Sequence, residues 1–337
     1  MASNTAFSPK EWTVLIRPQT EWGETEAGTD MYQLDVDSIS MPSLGLNQSI
    51  DLRNTSGRTF NDEDFFQDNK MTVREMTFSG NFHTDAAHKY AFLNLSNQGT
   101  SNDLVSFLQG HQPQSLGNGV SISAGTMASH HLFTIAIAAP ETTNAKHMLF
   151  HNCVCTNFQI SADIGTDGGR YKYSATFSTG GNYQALASST SVAPSASYLN
   201  STNVTMGGIN ASTLKVADIN ATLQSFSVVV DFPAVWTGAG SLGFEVVNRA
   251  QECSITFDAQ VKYDDLTKGL INTFDTQTAA TDGDGLKIVN SANFDIQIND
   301  YILTNVALSE GDIMMLDISG KAIDDGSESL LSLDWTA

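Results

Sequence analysis

His130, His131, His147 and His151, followed closely by Cys153 and Cys155, are the densest group of potential metal ligands, bases and nucleophiles in this 337-residue chain. A zinc site asks for cysteines separated by roughly two to four residues together with paired histidines. Cys153-x-Cys155 instead puts both thiols on one face of a strand, so the spacing points to a buried apolar face. Asp282-Gly-Asp284-Gly285 resembles part of a calcium loop but lacks the third ligand and the closing Glu, and it reads as a turn. Asp264–Asp265 and Asp324–Asp325 read as a helix start and a turn. Nothing in the spacing sets two carboxylates face to face across a glycosidic bond. Serine, histidine and aspartate are all present, but without a G-x-S-x-G elbow or the alternating β/α pattern that would hold one. Phosphate-binding glycine loops are also missing. The expectation is a protein with no catalytic residues, no cofactor and no metal.

The elements that would position any site are strands. Met71–Phe82 (MTVREMTFSGNF), Leu132–Ala138 (LFTIAIA), Met148–Ile164 (MLFHNCVCTNFQISADI) and Tyr171–Phe177 (YKYSATF) alternate apolar and polar residues. They are rich in β-branched and aromatic types and bounded by turn residues such as Gly165–Gly169. Two short helices are expected, over Asp85–Asn97 and over Asp264–Phe274, where Leu266, Leu270, Ile271 and Phe274 share a face. The chain therefore reads as mainly β, with one short helix in each half.

Charge and composition narrow the function classes. There are 37 acidic and 16 basic residues, a formal charge of −21, spread over the chain rather than gathered in a tail. Gripping nucleic acid by its phosphates needs clustered Lys and Arg, so that class is excluded. With 18 Phe, 8 Tyr and 4 Trp, the composition is that of a folded protein. Three cysteines (Cys153, Cys155, Cys253) make no disulfide framework. No secretory signal or membrane-spanning apolar run is visible. Seven N-x-S/T sequons are read as Asn- and Thr-rich surface. In Phe60–Asp68 (FNDEDFFQD), Phe65 and Phe66 are expected to cover apolar surface, on their own sheet or, in an assembly, on a neighbouring subunit.

The pattern repeats. KMTVREMTFSGNF, with Thr77–Phe78, aligns with NRAQECSITFDAQV, with Thr256–Phe257, and each runs into one of the expected helices. LFTIAIA then aligns with Phe294–Ile298 (FDIQI), MLFHNCVCTNFQIS with YILTNVALS from Tyr301, and YKYSATFSTGG with DIMMLDISGKA from Asp312. The expectation is a duplicated β-sandwich or barrel: a first domain with an N-terminal arm over 1–184, a linker or extended arm over 185–213, and a second domain over 214–337. The arm between them is small, polar and nearly uncharged.

This repeated layout of strand, helix and hairpin strands resembles the tube domain of the major tail tube proteins of long-tailed bacteriophages. The residues that carry the likeness are MTVREMTFSGNFHTDAAHKYAFLNL and FHNCVCTNFQISADIGTDGGRYKYSATFSTGG in the first half. In the second they are ECSITFDAQVKYDDLTKGLINTF and NDYILTNVALSEGDIMMLDISGKA; together they span about Tyr32–Tyr183 and Asp218–Trp335. The resemblance implies a virion protein, made in the host bacterial cytoplasm, whose sheets join those of other copies into a β-barrel. Rings of about three chains would stack into a conduit for the genome, with tail terminator, tape measure and baseplate proteins as further partners and DNA only in transit. It carries over no catalytic residue, cofactor or membrane contact. The candidate lumen-facing acids are Asp163, Asp300, Glu310 and Asp312, expected to be exposed members of the alternating hairpins. Two other readings remain at this stage. One is a β-sandwich adhesin or carbohydrate-binding surface module; the other is a β-sandwich hydrolase, which would need an acid–base pair.

Overall fold

Alternating apolar residues give most strands one face to bury, and the fold is the arrangement in which two sheets share those faces. The computed structural model describes residues 11–18, 32–42, 47–50, 65–68, 72–83, 93–95, 104–106, 119–122, 133–138, 147–181, 184–186, 203–231, 233–240, 243–249, 254–276, 279–280, 283–292, 294–323 and 330–334. The strands before residue 185 are β1 (Thr13–Pro18), β2 (Tyr32–Gln33), β3 (Ser38–Ser40), β4 (Asn47–Ile50), β5 (Phe65–Asp68), β6 (Arg74–Asn81), β7 (Leu93–Leu95), β8 (Leu104–Ser106), β9 (Gly119–Ile122), β10 (Phe133–Ala138), β11 (His147–Asp163), β12 (Lys172–Thr179) and β13 (Gln184–Leu186). Then come β14 (Lys215–Val216), β15 (Ile219–Asn220), β16 (Leu223–Asp231), β17 (Ala234–Gly240), β18 (Gly243–Arg249), β19 (Ser254–Lys262), helix α1 (Gly269–Thr276), β20 (Leu286–Ile288), β21 (Asp295–Ile298), β22 (Tyr301–Ser309), β23 (Met315–Ala322) and β24 (Leu331–Asp334). The protein is mainly β.

Twelve strands form one antiparallel sheet organised by β11, which is 17 residues long. Its first part pairs with β10 on one side and β13 on the other; its second part lies between β12 and β16. Beyond β12 come β6 and β3; beyond β16 come β19, β23 and the edge strand β22. A second sheet runs β15-β14-β20-β21-β24-β9. Strands from both sides of residues 185–213 therefore share both sheets: β16 pairs with β11, and β9 pairs with β24.

The core fills the space between the sheets. Met76, Phe78, Phe158, Ile160, Phe226, Val228, Phe257 and Ile318 from the large sheet meet Leu286, Ile288, Ile296, Ile298, Leu331 and Leu333 from the small one. The ring of Phe82 is 4.6 Å from that of Phe294, and Tyr171 packs edge-on against Phe226 at 5.0 Å. The end of the connecting stretch is built into this core: Val204 and Met206 are buried, and Tyr171 N–H donates to the Val204 carbonyl at 2.9 Å. Asn290 locks it there, its buried amide donating to the Thr205 carbonyl at 2.9 Å and to the Tyr171 hydroxyl at 3.3 Å.

Several expectations shift. In the second half the helix starts at Gly269 instead of Asp264 because side chains organise the preceding residues as a turn. There the Asp264 carboxylate accepts the Leu266 and Thr267 N–H groups, and Thr267 Oγ1 donates to the Lys262 carbonyl. In the first half, Leu93–Leu95 of the expected helix is a strand paired with β8; residues 84–92 and 96–97 lie outside the described residues. The FDIQI strand exists as β21 but sits in the small sheet, whereas its assigned counterpart β10 sits in the large one.

Candidate functional site

One face of the large sheet goes into the core. The other carries small polar residues in rows that cross the strands. One row runs Lys172, Ser161, Ser227, Asp258, Ser319; the next runs Asp163, Ser225, Gln260, Asp317. This face is concave. A hollow of about 450 Å³ is lined by Ser161, Asp163, Arg170, Ser227, Asp258 and Asp317 among others, and a neighbouring one of about 310 Å³ reaches Ser79, Ser174 and Asp37.

The rows are tied together by side-chain hydrogen bonds. Ser319 Oγ donates to Asp258 Oδ1 at 2.6 Å, Gln260 Nε2 to Asp317 Oδ1 at 2.8 Å, and Gln159 Nε2 to Ser227 Oγ at 2.8 Å. The Thr77 and Thr176 hydroxyls are 2.9 Å apart. Asp163 accepts from the Gly165 N–H at 2.8 Å and the Thr166 hydroxyl at 3.2 Å, closing the turn into β12. Lys172 pairs with Asp167, and that ammonium holds the exposed Asp167 carboxyl below its usual range. Donors and acceptors on this face thus largely satisfy one another, and among the described residues no nucleophile–base pair is aimed into it.

At one end of the face the hairpin β17–β18 folds back. Trp236 Nε1 donates to Ser178 Oγ at 3.0 Å, and the indole packs with Val154 and Val247. Gly180 makes room, since a Cβ there would lie 2.6 Å from the Trp236 ring.

The residues singled out from sequence fall in different places. Asp163 ends β11 on the polar face and is exposed. Glu310 and Asp312 are exposed but occupy the loop between β22 and β23, off the strand face. Asp300 corrects the expectation of exposure: it is 2% exposed, in the tight turn between β21 and β22, where its carbonyl accepts the Ile323 N–H. The backbone of Phe65 and Phe66 pairs with Ile50 and Ser49; their rings lie outside the described residues. His130, His131 and Cys253 also lie outside them. Cys153 and Cys155 are buried, the Cys155 thiol donating to the Asn157 carbonyl at 3.3 Å, and burial pushes the Cys153 thiol well up. Asp284, in the segment read as a turn, is held by Lys215 at 3.0 Å and Lys287 at 3.5 Å, so ammonium groups occupy its carboxylate. Among the described residues, no three His, Cys, Asp or Glu side chains converge as a metal site.

His151 has a different role. It stands at an irregularity in β11 beside Asn152, whose φ is 54°, and its carbonyl accepts the Thr179 hydroxyl at 2.7 Å. Its ring is buried, neither nitrogen has a hydrogen-bond partner among the described residues, and burial lowers its pKa. Because the folded state disfavours protonation, the unfolded chain takes up the proton first. Stability should be full above about pH 6.5 and fall below it, by at most about 1.4 kcal/mol per pH unit until the folded-state pKa is reached. Urea melts between pH 5 and 8 check this. The His151→Met variant should lack that part of the acid-side loss, and identical pH profiles for the two proteins would contradict it.

Neither a protein-family model nor a curated protein sequence matches the chain. Within the large sheet one arrangement of strands occurs twice. β6, β12 and β11 lie side by side, antiparallel, as do β19, β23 and β22. Each outer hairpin carries a bulge at the same point: β11 skips Thr156 before Asn157, and β22 skips Thr304 before Asn305. The two Thr-Asn pairs match in sequence as well.

Proposed function

We propose that the protein is a structural subunit made of two tube-type units that assembles with copies of itself into stacked rings. The rings form the tail tube of a long-tailed bacteriophage and conduct its genome. What carries this reading is the recurrence of one bulged three-strand unit twice in a single sheet, with both copies presenting the same polar, concave face. A self-paired face of hydroxyls, amides and carboxylates suits a wall past which a polyanion moves without sticking. Past the bridge from Tyr301 to Ala280, the outer edge of β22 has no strand partner among the described residues, and an open edge on so long a sheet calls for a neighbour. In this reading the protein is not an enzyme. Its other partners are the terminator, tape measure and baseplate proteins of the tail, and its place is the virion.

Electron microscopy of the purified protein, with mass measurement of the particles, tests the proposal. The expected result is rings of about three chains, alone or stacked into tubes, by the closed symmetry of homo-oligomers. Monomers at every concentration would overturn it.

A further inference from the structure

The large sheet contains one joint between its two bulged units, where β11 meets β16, and its outer edges match the two sides of that joint. The Thr-Asn bulges equate Asn157 of β11 with Asn305 of β22. Their partners, Thr176 and Ser319, are then equivalent, and so are the residues opposite those, Thr77 on β6 and Asp258 on β19. The next strands outward follow: Thr77 faces Ser40 of β3, and Asp258 faces Ser227 of β16. β3 is thus the counterpart of β16. The sequences agree, Val36-Asp-Ser-Ile-Ser-Met41 against Leu223-Gln-Ser-Phe-Ser-Val228, with the Ser-x-Ser and the flanking apolar positions shared.

The exposures then carry the argument. At the internal joint Ile160 of β11 stands opposite Val228 of β16, and they are 2% and 3% exposed. Their counterparts at the outer edges are Leu308 on β22 and Met41 after β3, which are 47% and 40% exposed. Among the described residues β22 has β23 as its one strand partner, its outer edge being bridged at the first residue, Tyr301 to Ala280, and left open from there to Leu308, and β3 pairs only with β6. Two large apolar side chains are thus uncovered at opposite edges of one sheet, at the positions that cover each other inside it.

We propose that β22 of one copy pairs antiparallel with the segment around β3 of the next, in the register of the internal β11·β16 joint. Leu308 lies opposite Met41, and Ser309 opposite Ser40. Because the two patches differ, the contact is head-to-tail and closes into a ring or continues as a helix. The inference rests on the proposed self-assembly in that the occupant of each edge is a second copy, and it adds which strands meet and at which residues.

Cysteine cross-linking tests the register. Antiparallel partners have Cα atoms about 4.5–5.5 Å apart, within disulfide range, and adjacent pairs alternate between the closer and the wider spacing. The two pairs to use are therefore Leu308→Cys with Met41→Cys and Ser309→Cys with Ser40→Cys. Under mild oxidation one of these double variants should give a ladder ending in a covalently closed ring. Mixing chains that carry only Leu308→Cys with chains that carry only Met41→Cys (or the Ser309 and Ser40 equivalents) should give dimers and nothing larger, while each alone gives none. Leu308→Asp should leave the urea midpoint nearly unchanged and shift the protein to monomer. Tubes or rings by microscopy with neither pair cross-linked would overturn this joint while leaving the tube reading in place. Cross-linked closed rings that never stack would support the joint and sink the tube. Leu308→Cys chains that link to one another would mean a two-fold contact and would overturn the proposal, as would a Leu308→Asp protein that still assembles.

Discussion

A Gly80→Ala variant is expected to lose at least about 3 kcal/mol of stability, the upper end of overpacking costs. Gly80 lies on the core side of β6, opposite Tyr173. The chain from β2 to β3 crosses directly over it. A Cβ added there would sit 2.1 Å from the Asp35 carbonyl oxygen and 2.9 Å from its carbon. Both are backbone atoms, so no side chain can swing aside. That carbonyl is also fixed from the other side, accepting the buried Tyr173 hydroxyl at 2.7 Å, and the Asp35 carboxylate holds His83 Nε2 at 2.6 Å. Relief would require lifting Leu34–Asp37 off the sheet, which would uncover Leu34 and break the Asp37 N–H bond to the Ser79 carbonyl. Gly269→Ala gives the internal comparison. No atom lies within 4 Å of its Cβ position and the residue opens α1, so this change should stabilise the protein by about 0.4–1 kcal/mol. Urea melts of the two variants beside the parent decide the matter. A Gly80→Ala protein with an unchanged midpoint would mean that the crossing of Asp35 over β6 is not as described.

The contrast between these glycines shows what local pattern can carry. Period-two alternation marks β6, β11 and β12 within three residues of their ends, because each buries one face over most of its length and the alternation is the burial; β10 is buried on both faces and shows instead as a short apolar run. It does not report which strand lies beside which. The expected match between LFTIAIA and FDIQI joins strands that belong to different sheets, and the Thr-Phe alignment of β6 with β19 differs by two residues from the register that the Thr-Asn bulges give, a shift that period two hides because it preserves the faces. The better markers were Thr156–Asn157 and Thr304–Asn305, whose bulges fix the register, and the Ser-x-Ser of β3 and β16. β3 is three residues long, too short to register as a pattern without its neighbours. Of the candidate acids, Asp163 could be placed because it ends a long alternating strand. Asp300 could not, because a two-residue turn between strands is buried or exposed according to what crosses it, here Ile323 from the end of β23. The polar face itself was legible only as Ser, Thr and Asn richness. Its concavity comes from strands far apart in sequence.

That face leads to the prediction with the largest functional consequence: the protein, assembled or not, should give no DNA gel shift at physiological salt, and two substitutions should create one. Along the polar side of the strands, Glu75, Asp163, Asp231, Asp258 and Asp317 stand against Lys172, Lys262 and Lys321, and the hollows add one charge of each sign, Asp37 and Arg170. Lys172 is already paired with Asp167. DNA presents about one charge per ~1.7 Å of axis, so a wall that neutralised phosphates would bind it cumulatively along a channel. With carboxylates in excess the repulsion reaches about 8 Å at ~0.15 M salt, and the hydroxyl and amide donors that could hold a phosphate are engaged with Asp258, Asp317 and Ser227. Asp258→Lys with Asp317→Lys removes two of those acceptors, frees Ser319 and Gln260 as donors, and changes the charge by four on every chain. In assembled particles this double variant should retain DNA at about 0.05 M salt and release it steeply as salt rises to about 0.2 M, the signature of counterion release. The same exchange at Asp265 and Asp312, exposed and away from the strand face, should leave binding near the parent's level. Retention by the parent at physiological salt, or equal retention by the two pairs of variants, would show that this face is not the wall that DNA meets.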